Sequence, residues 1–311
     1  MDTAIKAKGY QKNQKKILTK TNVMLYLMIA TPLILYYIFH YIPMPGIIIG
    51  FQQYGLSGFK YWVGFNNFKT AFATFFFWEA FRNSWVFVAF GYIFVTPTPI
   101  IFALLMNEVR IKWFKKGVQT ISTLPHFVTW VVIGGLFIQL LSPSTGYINL
   151  LIKFFGGQPI FFMSNAALFP WMFTFIRIWK NVGYSAIIYL AALSGIDPQL
   201  YEAAVIDGAN KLRQVWHITL PGIRTTILVL VVLSFSSVLS GMFEPIFILK
   251  NSMNRSTAEV LDTYIYSVGI IQGKFNIATA VGLFKAVISM FLLFTANFLS
   301  KRVTEDGRSI L

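Results

Sequence analysis

Two stretches of the chain gather side chains that could do chemistry. Residues 202–221 read Glu-Ala-Ala-Val-Ile-Asp-Gly-Ala-Asn-Lys-Leu-Arg-Gln-Val-Trp-His-Ile-Thr-Leu-Pro, the one place in the second half where acids, bases and a glycine sit close together between apolar runs. Asp197 before Pro198 has the form of a helix N-cap with proline in the first turn, and Gly208 that of a helix stop, so the pattern predicts a short helix over about 198–207. Its centre is Glu202, Ala203 and Ala204, two of them with no bulk beyond a methyl group. Another surface can approach such a backbone closely, which suits the helix to a groove on a partner. A second short helix is expected over about 211–217, with Leu220-Pro221 closing the loop.

The second stretch is the apolar run 166–193, which carries Arg177 and Lys180. At about 1.5 Å per residue Arg177 lies roughly 16 Å into that run. A charge at such depth costs about 2.5–3.5 kcal/mol on insertion scales and normally faces a bundle interior or a watery cavity. At about 100° per residue, Thr174, Arg177, Lys180, Asn181, Tyr184 and Ser185 share an arc of roughly 140°. Two readings stand side by side. This face lines a solute pathway, or Arg177 and Lys180 grip a neighbouring helix through carbonyls or through a carboxylate from Glu79, Glu244 or another subunit. Lys285, seven residues into the last apolar run, either joins the pathway or snorkels outward. His126 is expected as a hydrogen-bonded interior residue rather than a proton relay.

Several chemistries are excluded. There are no cysteines, hence no disulfide or thiolate metal site. His40, His126 and His217 fall in different segments and form no ligand spacing. No Gly-x-x-x-x-Gly-Lys-Ser/Thr is present, and Gly273-Lys274 is followed by Phe275. No catalytic residues, metal site or cofactor are therefore expected on this chain.

The elements that must position these residues follow from composition. Apolar residues make up 56% of the 311 and charged ones 12%; mean hydropathy is +0.64. That is a membrane chain, and continuous rather than alternating apolar runs favour helices over a barrel. Runs at 23–42, 84–106, 117–141, 166–193, 225–243 and 278–299 predict an all-α membrane protein with six transmembrane helices. The first lacks a small-residue cleavage site and reads as a retained anchor. Thr-Pro-Thr-Pro at 96–99 is expected to kink the second. The formal charge of +15 reads as topology rather than as a sign of nucleic acid. With both termini in the cytoplasm, sixteen basic residues lie inside against seven outside. The organisation is then a basic cytoplasmic segment at 1–22, a six-helix transmembrane domain at 23–299 with its cytoplasmic loop at 194–224, and a cytoplasmic tail at 300–311. Residues 43–83, 142–165 and 244–277 are assigned to outer loops. There is no internal repeat or low-complexity segment.

Glu202-Ala-Ala, Asp207-Gly208-Ala209, and Ile218, Leu220 and Pro221 at ten, twelve and thirteen positions past the glycine resemble the cytoplasmic loop signature of ATP-binding-cassette importer permeases. Trp179-Lys180, Ala191-Ala192-Leu193, Ile196-Asp197-Pro198 and Ala278-Thr279-Ala280-Val281-Gly282 look like the oligosaccharide and polysaccharide branch. Trp216 stands where the pattern usually has phenylalanine. The resemblance runs from the first span to the tail. It implies the type I importer permease fold in a bacterial cell membrane, with the loop helix docked on a separate ATPase that binds the ATP and magnesium. Glu202 would make polar contacts there, Ala203 and Ala204 would allow close approach, and Gly208 would make the bend. Implied partners are a second six-helix permease in a heterodimer, two ATP-binding subunits, an extracytoplasmic solute-binding lipoprotein, an oligosaccharide and membrane lipid. The positive pathway face leans the cargo towards acidic oligosaccharides such as uronates. A self-sufficient secondary transporter is the alternative; it would need a coupling acid or ion site in mid-membrane, and no expected span holds one. A membrane enzyme would need a catalytic cluster that is not found.

Overall fold

Three described helices are long and apolar enough to cross a bilayer alone, Asn22–Phe51, Phe75–Glu108 and Phe275–Phe298. Two bent pairs raise that number to five if each is one span. The computed structural model describes residues 20–55, 58–235 and 238–303. Most of the expected basic head and tail, 1–19 and 304–311, lies outside these residues.

The chain forms two units, divided after Ile48. The first contains α1 (Lys20–Tyr36), which continues through a π-helical turn at Tyr37–Tyr41 and so holds the expected first run. From Val23 onward its side chains are apolar except for Thr31 and largely exposed, as for a helix whose solvent is hydrocarbon.

In the second unit, β1 (Gln52–Gly55) and β2 (Gly58–Trp62) form an antiparallel hairpin ahead of α2 (Asn66–Phe72), within the expected partly folded loop. Next come α3 (Phe75–Phe90), a π-helical turn at Gly91–Val95, and α4 (Pro97–Glu108). The expected kink thus takes the form of a wide turn. Pro97 and Pro99 sit in the first turn of α4, where a missing N–H is least costly, and Thr96 N–H reaches back five residues to the Gly91 carbonyl at 2.8 Å.

The next run departs most from expectation. Instead of one span over 117–141, α5 (Lys112–Thr123) passes into a 3-10 turn at Leu124–Phe127, and α6 (Trp130–Leu140) leaves it at 104°. Pro125 and the extended Val128 and Thr129 cause the break. A short α7 (Tyr147–Phe154) precedes α8 (Phe169–Leu193), 25 residues and about 37 Å long.

After α8 come α9 (Pro198–Ile206), α10 (Lys211–Gln214), a π-helical turn at Val215–Thr219, α11 (Leu220–Gly222) and α12 (Arg224–Phe235). Leu220-Pro221 does not close the loop. The helix runs on to Gly222 and bends by 58° into α12. The segment expected as an outer loop, 244–277, is largely helical, with α13 (Phe243–Leu249), α14 (Arg255–Ala258) and α15 (Leu261–Tyr266) extended by a π-helical turn to Ile271. Finally α16 (Phe275–Val303) overruns the expected last span at both ends.

Helix α8 is the axis of the unit. Phe169, Phe173 and Ile176 join Phe87, Ile133 and Ile246 in one buried cluster, while Ala186, Tyr189 and Leu193 join Ala103 and Ile223 in another. Between them Gly183 meets the Ser122 backbone so closely that any Cβ would overlap it. This helix is therefore clamped from several sides, and its polar residues have little freedom to choose where they point.

Candidate functional site

The first half of the 194–224 loop is built as its sequence predicts. Asp197 Oδ1 accepts from Gln199 N–H at 2.9 Å, Pro198 fills the first turn, and Gly208 at φ +74° ends the helix. Asn210 caps the second helix, its Oδ1 accepting from Arg213 N–H at 2.9 Å. The two helices are tied to each other: the Tyr201 hydroxyl lies 3.0 Å from Thr219 Oγ1, and Gln214 Nε2 donates to the Ala209 carbonyl at 3.0 Å. They are also tied to the spans. Lys211 pairs with Glu108 at the end of α4 at 3.0 Å, and Gly222 packs on Ile196.

This piece presents large apolar side chains among its polar ones. No residue of α9 is buried, Ile206 is 86% exposed, and Trp216 on the second helix is 66% exposed. Glu202, Ala203, Asp207 and Gly208 are exposed, with Ala204 and Ala209 half-buried beside them. Leu220 is half-buried and Pro221 exposed at the end of the loop. A cavity of about 540 Å³ opens between Glu202, Val205 and Ile206 on one side and Glu108 and Arg110 on the other. Glu108 ends α4 and Arg110 lies just beyond it, far from the 194–224 loop in sequence. Large apolar side chains are therefore exposed on an otherwise polar connecting segment.

The polar face of α8 divides in the structure. Arg177 and Asn181 line a cavity of about 300 Å³ together with Tyr92, Trp130, Ser234 and Ser240. Asn181, Tyr184 and Ser185 line a neighbouring one of about 240 Å³, and Val95, Thr96, Asn181 and Ser234 belong to both walls. Lys180 lines neither. Its side chain, 6% exposed, turns to the break between α5 and α6, where Nζ donates to the carbonyls of Pro125, His126 and Val128 at 3.2, 2.8 and 2.5 Å. The reason is physical: the break frees carbonyls that a helix would have used, and an ammonium with three donors meets them. Thr174 is also turned inward, buried and bonded to the Pro170 carbonyl at 2.7 Å.

Asn181 and Tyr184 are fixed by His126, as its expected interior role requires. His126 Nδ1 lies 3.0 Å from Asn181 Oδ1, and its ring stacks on Tyr184 at 3.7 Å. Lys285 has a partner that the hydropathy reading left in an outer loop: its ammonium pairs with Asp262 of α15. Both line a further cavity of about 500 Å³. Among the described residues no group of three or more His, Asp or Glu side chains could hold a metal ion.

Apolar helices long enough to span, a rigid exposed loop tied to them, and a polar cavity along a clamped central helix define a membrane transport subunit. Residues 95–305 match the model of the family described as binding-protein-dependent transport system inner membrane component, and the chain belongs to that family. It is 46% identical to the polygalacturonan/rhamnogalacturonan transport system permease protein YteP of Bacillus subtilis, over 91% of this chain and 89% of that one. It is 42% identical to protein LplB of the same organism, over 93% and 92%. Among solved structures it resembles a chain of the bacterial alginate ABC transporter in complex with alginate pentasaccharide-bound periplasmic protein. There the TM-score is 0.85 at 38% identity, covering 92% of this chain and 96% of the other.

Proposed function

We propose that this chain is the permease subunit of an ATP-driven importer of oligosaccharides or polysaccharide fragments, forming half of the translocation pathway. Six spans cross the membrane: the three long helices, the two bent pairs, and α8, whose length suffices and whose polar face lowers its hydropathy. Both termini and the 194–224 loop are cytoplasmic, following the excess of basic residues. The loop couples to a separate ATP-binding subunit through Glu202, Ala203, Ala204, Asp207, Gly208 and Ala209, with Leu220 and Pro221 handing its motion to α12. Hydrolysis of ATP belongs to two such partner subunits. A second permease completes the pore as a heterodimer, and an external solute-binding lipoprotein delivers the cargo.

One observation carries the coupling role: exposed α9 is tied by Tyr201–Thr219 to the second loop helix, and Lys211–Glu108 ties that helix in turn to the end of α4. Force applied to α9 is passed on, not absorbed. The permease names of the relatives support the transport class and its saccharide cargo. For the pathway, Arg177, Asn181 and Tyr184 face the cavities, whereas Lys180 and Thr174 set the position of α8. The test is reconstitution of the complete assembly in liposomes. Saccharide uptake that needs ATP inside and the binding protein outside is expected; uptake by this chain alone, without ATP, would overturn the reading.

A further inference from the structure

We propose that Arg177 is a carboxylate seat in the pathway wall, so that the cargo passes as an oligosaccharide bearing uronic acid groups. The inference rests on the importer reading above and adds to it the chemical class of the cargo.

The argument starts from charge matching. Lys180 is met by three carbonyls, Lys285 by Asp262, and Lys250 and Arg255 by Glu259. Arg177 has no such match: its Nη1 is buried without a hydrogen-bond partner, and no ion pair reaches it from the described residues. An unmatched cation away from water is costly, so a chain that matches Lys180, Lys250 and Lys285 and leaves this one open has left it open for a ligand.

The surroundings say what kind of ligand. Phe173 lies under the guanidinium at 5.6 Å, and a Cβ added at Gly91, in the π-helical turn, would stand 3.9 Å from both of its terminal nitrogens. Asn181 Nδ2 donates to the Arg177 carbonyl at 3.0 Å while its Oδ1 is taken by His126, so Asn181 fixes the backbone and does not compete for the guanidinium. A planar fork held in this way takes a carboxylate through two parallel hydrogen bonds. The rest of the wall suits a sugar. Tyr92 and Ser234 present hydroxyls 2.8 Å apart, and Trp130 lines the same wall. Ser234 and Ser240 are exposed and mark the open side of the cavity. A carboxylate fixed on the second permease could also meet Arg177, but it would leave the hydroxyl-lined space beside it unfilled.

The experiment uses the complete assembly in liposomes with its own binding protein, with trigalacturonate and its methyl ester as probes. Arg177→Gln is expected to lower ATP-dependent trigalacturonate uptake at least tenfold, and Arg177→Lys, which keeps the charge but loses the two parallel bonds, to lower it clearly less than that. Unchanged uptake in Arg177→Gln overturns the proposal, and so does an equal loss in both variants, which would make the role structural. Loss of the second permease from purified Arg177→Gln assemblies would place the carboxylate on that subunit and overturn it also. Wild-type import of the ester alone refutes the carboxylate seat while leaving the importer reading intact. Import of neither probe nor any neutral saccharide refutes the importer reading itself.

Discussion

The Lys180 ammonium lies 2.8 Å from the His126 carbonyl oxygen and also reaches the carbonyls of Pro125 and Val128, so one side chain of α8 closes the break between α5 and α6. Hydrogen bonds to a charged group are worth about 1.5–3 kcal/mol, and here three carbonyls share the donor. Replacing Lys180 with methionine is expected to destabilise the protein by about 3 kcal/mol, read as a lower unfolding temperature of the purified assembly. An unfolding temperature equal to the wild type's would show that the break stands without the lysine.

A second contact on the same helix concerns shape rather than charge. Any Cβ at Gly183 overlaps the Ser122 backbone, so α5 or α8 must shift to admit one. Gly183→Val is expected to cost about 1–3 kcal/mol by overpacking and to lower uptake through displacement of Tyr184 and Asn181. Gly282, beside which an added Cβ meets nothing, is the control position.

Asp262 and Lys285 form a pair shielded from solvent, with side-chain exposures of 12% and 16%. Removing one member leaves an uncompensated charge, at about 3–5 kcal/mol, whereas replacing both by apolar residues of similar volume is close to neutral. Lys285→Met alone should therefore destabilise strongly, and Asp262→Leu combined with it should recover most of the loss. Thermal unfolding of the single and double variants decides this; additive losses would deny the pairing.

The loop gives a functional prediction. Glu202→Lys or Ala204→Trp is expected to lower ATP-dependent uptake more than tenfold while the protein still inserts and assembles. Glu202 is exposed and Ala204 half-buried on α9, so Glu202→Lys should leave stability unchanged. Normal uptake in either variant would remove the docking role from that position.

Legibility in the sequence depended on whether a feature is local. Asp197, Pro198 and Gly208 announce α9 because capping, proline placement and positive φ are fixed by neighbouring residues, and the structure has each of them. The break at Pro125 was not legible, because a proline within an apolar run is as compatible with a kinked span as with a turn of 104°. The wheel of α8 grouped Arg177 with Lys180 correctly by angle. It could not tell a cavity from a set of carbonyls, since an angle names a direction and not what lies along it. Asp262 was missed as the partner of Lys285 because hydropathy assigned it to a loop; the apolar residues on either side, Leu261 and Ile265, were the available signal. Glu108 and Arg110 join the loop site across nearly a hundred residues of chain, a distance that only tertiary structure spans.

The docking of α9 on an ATP-binding subunit is tested most directly by cross-linking. The chain has no cysteine, so Ala203→Cys introduces a single thiol at an exposed position. In the complete assembly a short bifunctional thiol reagent should join residue 203 to the ATP-binding subunit, and a membrane-impermeant maleimide applied to intact cells should not reach it. Labelling from outside the cell, or no link to that subunit in an assembly that still transports, would contradict the account.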